Sequence, residues 1–328
     1  MTLGKTWARL RHNGMVATES PMSQSLFTTA RFDLPHVTEG DKLHRLLSAA
    51  LKSKVSNSSQ IPQSLTSAYW NSSYFGLDQV KIFQDSTGEE QQQILHLCSN
   101  ALLEEAYFVE KAGVGYMAKM VMLAETTEEL MLYGLFAADE ATHLAQIRPF
   151  LADRDPVATS DRFLELLAEI VEMEDKSVLV FVIQVVLEGW GLSHYRHLAN
   201  DCCDRELTQM FRGFLDAEAR HHSTGVTLCD RHPITPQSQS AIVEALTSFL
   251  QMVQVGPQRV VQAIAQVKGD LSRPQQIKIF QELDTETHSG TRLQLLRSLL
   301  RSDPTHSIIN HLEEKGSFTP YPPEQCIL

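Results

Sequence analysis

The sequence has little cysteine and no long apolar run. Its five Cys among 328 residues are odd in number and form no Cys-x-x-Cys pair, which argues against a disulfide framework and against a thiolate zinc site. We therefore expect a reducing, cytoplasmic location. The longest apolar stretch, residues 178–187, contains Gln184 and is too short to cross a bilayer, so no membrane span is expected. No apolar run follows the basic N terminus, which argues against a secretory signal.

Positive charge is scarce as well. The formal net charge is −12, and the 28 Lys and Arg form no cluster. Because binding to a phosphate backbone needs clustered basic residues, a nucleic-acid partner is not expected. The apolar/polar alternation of β-strands is also absent, whereas helical spacing of apolar residues dominates from about residue 87 onwards. The sequence therefore predicts an all-α fold.

Three regions differ in composition. Residues 1–86 contain Pro, a Ser-rich stretch and an aromatic cluster at 69–75, and they read as an N-terminal extension that packs on the body. The aromatic residues either anchor this extension or line a substrate entrance. Residues 87–231 are predicted to form a four-helix bundle. Residues 232–328 are predicted to form shorter additional helices with an extended, Pro-rich tail.

The bundle region predicts four long helices, spanning about 89–124, 127–151, 176–200 and 205–230. Each of the first and third helices carries a Glu inside an apolar stripe, namely Glu105 and Glu188. Two neighbouring acids, Glu104 and Glu110, fall off the first stripe and are expected to face solvent. The turn before the second helix offers Thr126 or Thr127 as its N-cap.

The second and fourth helices each carry a Glu-x-x-His motif. In the second helix it is Glu140 and His143, and in the fourth it is Glu218 and His221. On a helix this spacing places a carboxylate and an imidazole on one face, about one turn apart. The composition, with 24 Glu and 13 His in 328 residues, yields roughly one such pair by chance. The motifs are therefore informative only through their positions.

Residues equally far from a tight turn lie level on two antiparallel helices. The midpoint of Glu105 and Glu140 falls at 122 or 123, within one helical turn of the first predicted turn, and the midpoint of Glu188 and Glu218 falls at 203, inside the second. Each hairpin thus carries one Glu level with one Glu-x-x-His motif. A four-helix bundle binds a pair of iron or manganese ions with this donor set. The predicted metal ligands are Glu105, Glu140, His143, Glu188, Glu218 and His221.

On these residues the central region, about 89–230, resembles the ferritin-like di-iron carboxylate superfamily. The resemblance implies a ferritin-like four-helix bundle, here with additional helices at both ends. It also implies that Asp139, directly before Glu140, accepts a hydrogen bond from His221 and fixes its tautomer. The second motif has Ala217 in the equivalent place, so His143 needs another partner. Phe214 stands where the amine N-oxygenase branch carries a third His, which is a departure from that branch.

The resemblance implies an O₂-dependent non-haem di-iron oxidase or oxygenase that acts on a small organic metabolite. Its cofactors would be two Fe ions, with Mn as an alternative, and O₂ would be the co-substrate. An external reductant is expected, and the partners would be the small-molecule substrate, an electron-donor protein and, as an option, a second copy of the chain. Two alternatives stay open: a ferroxidase or iron-storage protein, and a metal-free helical scaffold that binds a partner.

Two further features bear on the site. His222 is rotated by about 100° from His221 on the helix, so it is expected to face away from the metals. Glycines cluster near the predicted ligands at Gly113, Gly115, Gly189 and Gly191. A mid-helix Gly costs about 1 kcal/mol relative to Ala, so each is expected to provide either room beside the metals or close helix packing.

Overall fold

The computed structural model describes residues 29–52, 54, 68–156, 161–231, 234–300 and 306–327. Within these ranges every regular element is helical, which confirms the predicted all-α class. The only β-type pairing among them is an isolated antiparallel bridge between Trp70 and Cys202. The expectations for residues 1–28 and for most of the Ser-rich stretch fall outside the described residues.

The described residues contain thirteen α-helices. One π-helix, Val180–Leu187, continues directly from α6 into α7. In chain order the α-helices are α1 Lys42–Leu51, α2 Lys81–Gln84, α3 Gly88–Met122, α4 Thr127–Ile147, α5 Arg162–Glu172, α6 Lys176–Leu179, α7 Glu188–Asp201, α8 Arg205–Cys229, α9 Pro236–Gln254, α10 Gln258–Lys268, α11 Arg273–Glu282, α12 Thr285–Leu299 and α13 His306–Glu314.

Two antiparallel hairpins form the centre of the molecule. In the first hairpin α3 packs along α4, and in the second the continuous helix of α6, the π-helix and α7 packs along α8. Side-chain caps fix where the helices start: Thr87 and Glu90 form a capping box at α3, Thr126 accepts from the Glu129 amide at α4, and Asp204 accepts from the Leu207 amide at α8. These caps hold the turns, and therefore the relative heights of the helices.

The other helices enlarge the core on two sides of the bundle. α5 packs against α3, α9 and α12 pack against the π-helix, and α13 packs against α9, so that together they form the largest apolar cluster. α10 and α11 pack against the first half of α3 together with α2. The interior is therefore continuous from the hairpins into the C-terminal helices.

The aromatic cluster of the N-terminal region anchors this region to the bundle. Trp70 is completely buried, contacts Phe211 in a tilted arrangement with ring centroids 6.2 Å apart, and donates its indole N–H to the carbonyl of Leu198 at 3.0 Å. The Cys203 amide donates to the carbonyl of Tyr69 at 2.8 Å. These contacts favour the anchoring interpretation over a substrate entrance.

One helical run in the described part of the chain, Lys176–Asp201, is long and apolar enough to cross a membrane. More than half of its most apolar window, 56%, is buried inside the protein. A core helix of a water-soluble fold meets the same criteria, and this run occupies the centre of the bundle.

Close packing of α8 on the π-helix depends on Gly225. A Cβ atom added there would lie 2.4 Å from the Cβ of Gln184 and 3.2 Å from its carbonyl carbon. We expect Gly225→Ala to force the two helices apart and to lower the free energy of unfolding by about 1–3 kcal/mol. The measurement is denaturant or thermal unfolding of the purified chain.

Gly213→Ala on the same helix is the matched control. No atom lies within 4 Å of its added Cβ, and the residue is exposed. Because Ala is the better helix former, this variant should be stabilised by up to about 1 kcal/mol. Equal destabilisation of both variants would contradict the packing argument.

Candidate metal centre

Six side chains from the two hairpins converge in the interior. Their ligand atoms form two groups, within each of which all atoms lie within 4.8 Å of one another. The first group is Glu110, Glu140, His143 and Glu218, and the second is Glu188, Glu218 and His221. Glu218 belongs to both groups. A carboxylate shared between two ligand groups is compatible with two neighbouring cations.

In the first group Nδ1 of His143 faces the carboxylates. It lies 2.9 Å from Oε2 of Glu110, 3.5 Å from Oε1 of Glu218 and 4.0 Å from Oε2 of Glu140. The side chains of these residues are at most 8% exposed. The imidazole nitrogen and three carboxylate oxygens therefore surround one buried position.

In the second group Nδ1 of His221 occupies the corresponding place. It lies 3.2 Å from Oε1 of Glu140 and 3.6 Å from Oε2 of Glu218. Glu140 therefore contacts both histidines, one through each oxygen. Neither ring nitrogen of His221 makes a hydrogen bond, and Oε2 of Glu188 is likewise buried without a partner. Such orphaned buried polar atoms are costly unless a further group satisfies them.

Burial acts to raise the pKa of three of the carboxyl groups, those of Glu110, Glu140 and Glu188. Burial raises the pKa of Glu140 well above its usual range, and the charges of Glu110 and Glu218 raise it further. Burial also raises the pKa of Glu188 well above its usual range. Burial acts in the same sense on Glu110, but the adjacent His143 outweighs it and lowers the pKa of that carboxyl.

For the two imidazoles, burial acts to lower the pKa, and the neighbouring carboxylates act to raise it. Burial acts to lower the pKa of His221, but Asp139, Glu140 and Glu218 outweigh it and the net pKa is raised. Burial likewise opposes the charged form of His143, yet Glu110 raises the pKa of His143 above its ordinary value. Both imidazoles thus favour their protonated form, because the positive charge is stabilised by the neighbouring carboxylates.

The acid of α3 that joins the candidate ligand groups is Glu110, and not Glu105 as the sequence predicted. The carboxylate of Glu105 instead pairs with the guanidinium of Arg259 at 2.9 Å and lies outside both ligand groups. The expectation that Glu110 faces solvent is also wrong, since this residue is 1% exposed. The two acids are five positions apart in the sequence, so their side chains point about 140° apart around the helix axis.

A signal for Glu110 is present in the sequence. Glu110 precedes Glu140 by 30 residues, and Glu188 precedes Glu218 by the same number. The midpoint of Glu110 and Glu140 is 125, which falls in the turn between the end of α3 at 122 and the start of α4 at 127. Equal spacing in the two hairpins therefore identifies the residue that the apolar stripe missed.

Asp139 lies beside His221, as the resemblance implied. Its Oδ2 is 3.7 Å from Nε2 of His221, slightly beyond hydrogen-bond distance, and 3.3 Å from a guanidinium nitrogen of Arg220. His143 has no equivalent acid and instead stacks on Phe214, with ring centroids 3.9 Å apart. Its Nδ1 lies 2.9 Å from Oε2 of Glu110. Aromatic packing therefore orients this imidazole.

The π-helix leads directly into Glu188 and contacts the backbone and side chains of α8 next to His221. In a π-helix the N–H groups reach five residues back, which inserts an extra residue and frees carbonyl groups. The carbonyl of Gln184 accepts from Nδ1 of His222 at 2.9 Å, so His222 lies outside both ligand groups. The side-chain amide of Gln184 donates to the His221 carbonyl at 3.2 Å and accepts from the Tyr133 hydroxyl at 2.7 Å.

The glycines near the centre serve both expected purposes. A Cβ at Gly113 would lie 2.6 Å from Oε2 of Glu140, so this Gly leaves room for a ligand side chain. A Cβ at Gly189 would lie 2.9 Å from His222, which reflects close helix packing. No atom lies within 4 Å of a Cβ at Gly191, which borders open space. Gly115 packs against the backbone of Thr29.

A cavity of about 800 Å³, including the part continuous with solvent, adjoins the carboxylates. All four acids of the two ligand groups border it, and so does Glu105. Tyr195 also borders the cavity and donates a hydrogen bond from its hydroxyl to Oε1 of Glu110. The remaining wall is largely apolar. The geometry therefore places a mainly apolar space directly against the candidate metal centre.

No protein-family model matches the chain, and neither a curated protein nor a solved structure matches it significantly. The chemistry of the site therefore has to be inferred from its geometry.

Glu110→Gln should weaken the binding of divalent metal by at least about tenfold to a hundredfold. The loss of an outer hydrogen-bond partner alone costs this much in metal sites, and the loss of a ligand carboxylate should cost no less. Mn(II) affinity and stoichiometry by titration provide the measurement. Glu105→Gln, the matched control on the same helix, should keep the affinity within about twofold, and the reverse order of the two variants would refute the assignment.

Metal binding should also release protons. The raised pKa values of His143, His221, Glu140 and Glu188 mean that these groups hold protons that a cation must displace. Affinity for Mn(II) should therefore rise as the pH increases from about 6 to about 8. Calorimetric titration in two buffers of different ionisation enthalpy counts the protons released. A pH-independent affinity with no proton release would contradict this electrostatic description.

Proposed function

We propose that this chain is a ferritin-like di-iron carboxylate enzyme, an O₂-dependent oxidase or oxygenase of a small organic metabolite. The observation that carries the proposal is the pair of buried ligand groups joined by Glu218. Their combined donor set is four Glu and two His from four helices, which suits two iron or manganese ions in a bundle core. The four carboxylates also balance the charge of two divalent cations.

The residues divide into terminal and shared ligands. Glu110 and His143 would hold one ion, and Glu188 and His221 would hold the other. Glu218, which belongs to both groups, and Glu140, which contacts both histidines, are placed to be shared. Two reduced iron ions bound here would supply the electrons that activate O₂.

The surrounding residues have supporting roles. Asp139 restrains the ring of His221 from its outer side, and Tyr195 fixes one oxygen of Glu110. The apolar cavity wall excludes water from the side on which a substrate would approach. Insertion of one oxygen atom into a substrate, with the second leaving as water, takes two electrons and two protons overall, and the two electrons have to be replaced before the next turnover. An external reductant, with an electron-donor protein as its source, is therefore part of the proposal.

The cavity favours this function over a ferroxidase or iron-storage role. When iron itself is the substrate, an ion needs a polar path to the centre, whereas this space is bordered mainly by apolar side chains. A metal-free scaffold would have no use for four buried carboxylates, since uncompensated burial of charge is costly.

Anaerobic titration with Fe(II) followed by exposure to O₂ tests the proposal. We expect about two Fe(II) per chain and O₂ consumption that is abolished in Glu110→Gln and retained in Glu105→Gln. Binding of less than one metal ion per chain would support the scaffold instead. A many-subunit particle that mineralises excess iron would support the storage role and overturn the oxygenase.

A further inference from the structure

The cavity beside the candidate metal centre is elongated. One wall follows α3 through Glu105, Val109, Ala112 and Tyr116, at the i, i+4, i+7 and i+11 positions of one helical stripe. At 1.5 Å per residue the two ends of this stripe lie about 16 Å apart along the helix axis. Glu110 and Gly113 lie alongside its middle. A bound molecule would therefore extend past the metals in both directions.

The opposite wall runs antiparallel to α3. It follows the π-helix and α7 from Ile183 through Leu187, Trp190 and Gly191 to His194. A third wall comes from α5, through Phe163, Leu167 and Val171. Apolar side chains thus dominate three sides of the space.

The cavity offers no free charge to a substrate. Among the described residues that border it there is no Lys or Arg. Glu105 is paired with Arg259, and the four other acids would be balanced by two divalent cations. Burial, reinforced by the charge of Arg292, lowers the pKa of His194 to about 3, so this imidazole is neutral. An anionic or cationic substrate would therefore lose its hydration without gaining a counter-charge.

Besides Glu188 of the candidate metal centre, Tyr116 carries a polar group of the cavity wall that has no partner. The hydroxyl of Tyr116, a residue 1% exposed, makes no hydrogen bond. Burial raises the pKa of Tyr116 well above its usual range, so the phenol keeps its proton and remains a donor. A buried unpaired hydroxyl costs about 1–3 kcal/mol. An acceptor on a bound molecule would remove that cost.

We propose that the cavity binds an uncharged, elongated and mainly apolar molecule whose oxygen accepts a hydrogen bond from Tyr116. This inference rests on the proposed function, because it assigns the class of substrate presented to the metals. Tyr116 acts as a specificity-determining residue: it selects molecules with an acceptor at that end. The apolar body then lies along α3 beside Gly113, where the ligand carboxylates border the cavity.

Three eight-carbon probes separate the parts of the proposal. Octan-2-one is uncharged and has one acceptor, octane has none, and octanoate carries a charge. Binding is followed by the fluorescence of Trp190, which lines the cavity, using the full chain with and without Mn(II) and under exclusion of Fe(II). Trp190→Phe identifies the signal, because the two other Trp, at 7 and 70, are retained in that variant.

Tyr116→Phe removes only the donor. We expect it to weaken the binding of octan-2-one about fivefold, the size of one neutral hydrogen bond, and to leave octane unchanged within about twofold. Tyr133→Phe is the control, because that hydroxyl donates to Gln184 and does not border the cavity. It should leave the affinities for both probes unchanged.

Gly191→Leu tests whether the probes occupy this cavity. Because no atom lies within 4 Å of its added Cβ, the larger side chain should enter the open space and weaken both uncharged probes by at least about tenfold. Octanoate should bind the unaltered chain at least about tenfold more weakly than octan-2-one.

The outcomes separate this inference from the proposed function. Equal loss of octane and octan-2-one in Tyr116→Phe, or no loss of either, would overturn the role of Tyr116. Octanoate binding as tightly as the ketone would overturn the uncharged class. Failure to bind two metal ions would instead refute the di-iron function. The titrations of octane and octan-2-one without Mn(II) would still measure binding in the cavity.

Discussion

The burial of four carboxylates around two imidazoles is the constraint on which the rest of the structure depends. Carboxylates crowded in a bundle interior repel one another and lose their hydration, and either effect alone is costly. The raised pKa values of Glu140 and Glu188 express this cost directly. Two divalent cations would remove it. Stability and function therefore depend on the same residues, because the groups that destabilise the metal-free core are those that would bind the metal.

Holding these groups together requires helices of fixed height and rotation. The caps at Thr87, Thr126 and Asp204 determine where α3, α4 and α8 begin. The π-helix sets the rotation of Glu188, and Gln184 within it binds the backbone of His221 on the facing helix. Gly225 permits this approach. The ligands of the second hairpin are thus placed by backbone contacts that involve none of the ligand side chains.

Helical periodicity, turn residues and capping patterns were enough to predict the two hairpins and the motifs on α4 and α8. These features are local, so the sequence contains them in full. The choice between Glu105 and Glu110, in contrast, depends on contacts between residues that are far apart in the sequence. The apolar stripe identified Glu105, which borders the cavity, but it assigned Glu110, which joins a ligand group, to the solvent side. The sequence predicted the relative heights of the ligands only to within one helical turn, and this accuracy was too low to choose between two acids on the same helix.

The π-helix was also beyond a reading based on regular periodicity. Its sequence, from Val180 to Leu187, is almost entirely apolar and fits an α-helix equally well. What distinguishes it is the packing of Gln184 between Tyr133 and His221, which only the assembled bundle provides. The partner of Glu105 was hidden for the same reason, because Arg259 is 154 residues away along the chain.

The helices outside the two hairpins acquire a purpose from that distant pair. Arg259 on α10 neutralises Glu105 at one end of the cavity, and α5 supplies an apolar wall through Leu167 and Val171. Without these elements the face of α3 that carries Glu105 would present an unpaired carboxylate. The bundle alone supplies ligands for metal. The added helices remove charge and water from the space beside them, and this combination favours chemistry on an organic molecule over transit of iron.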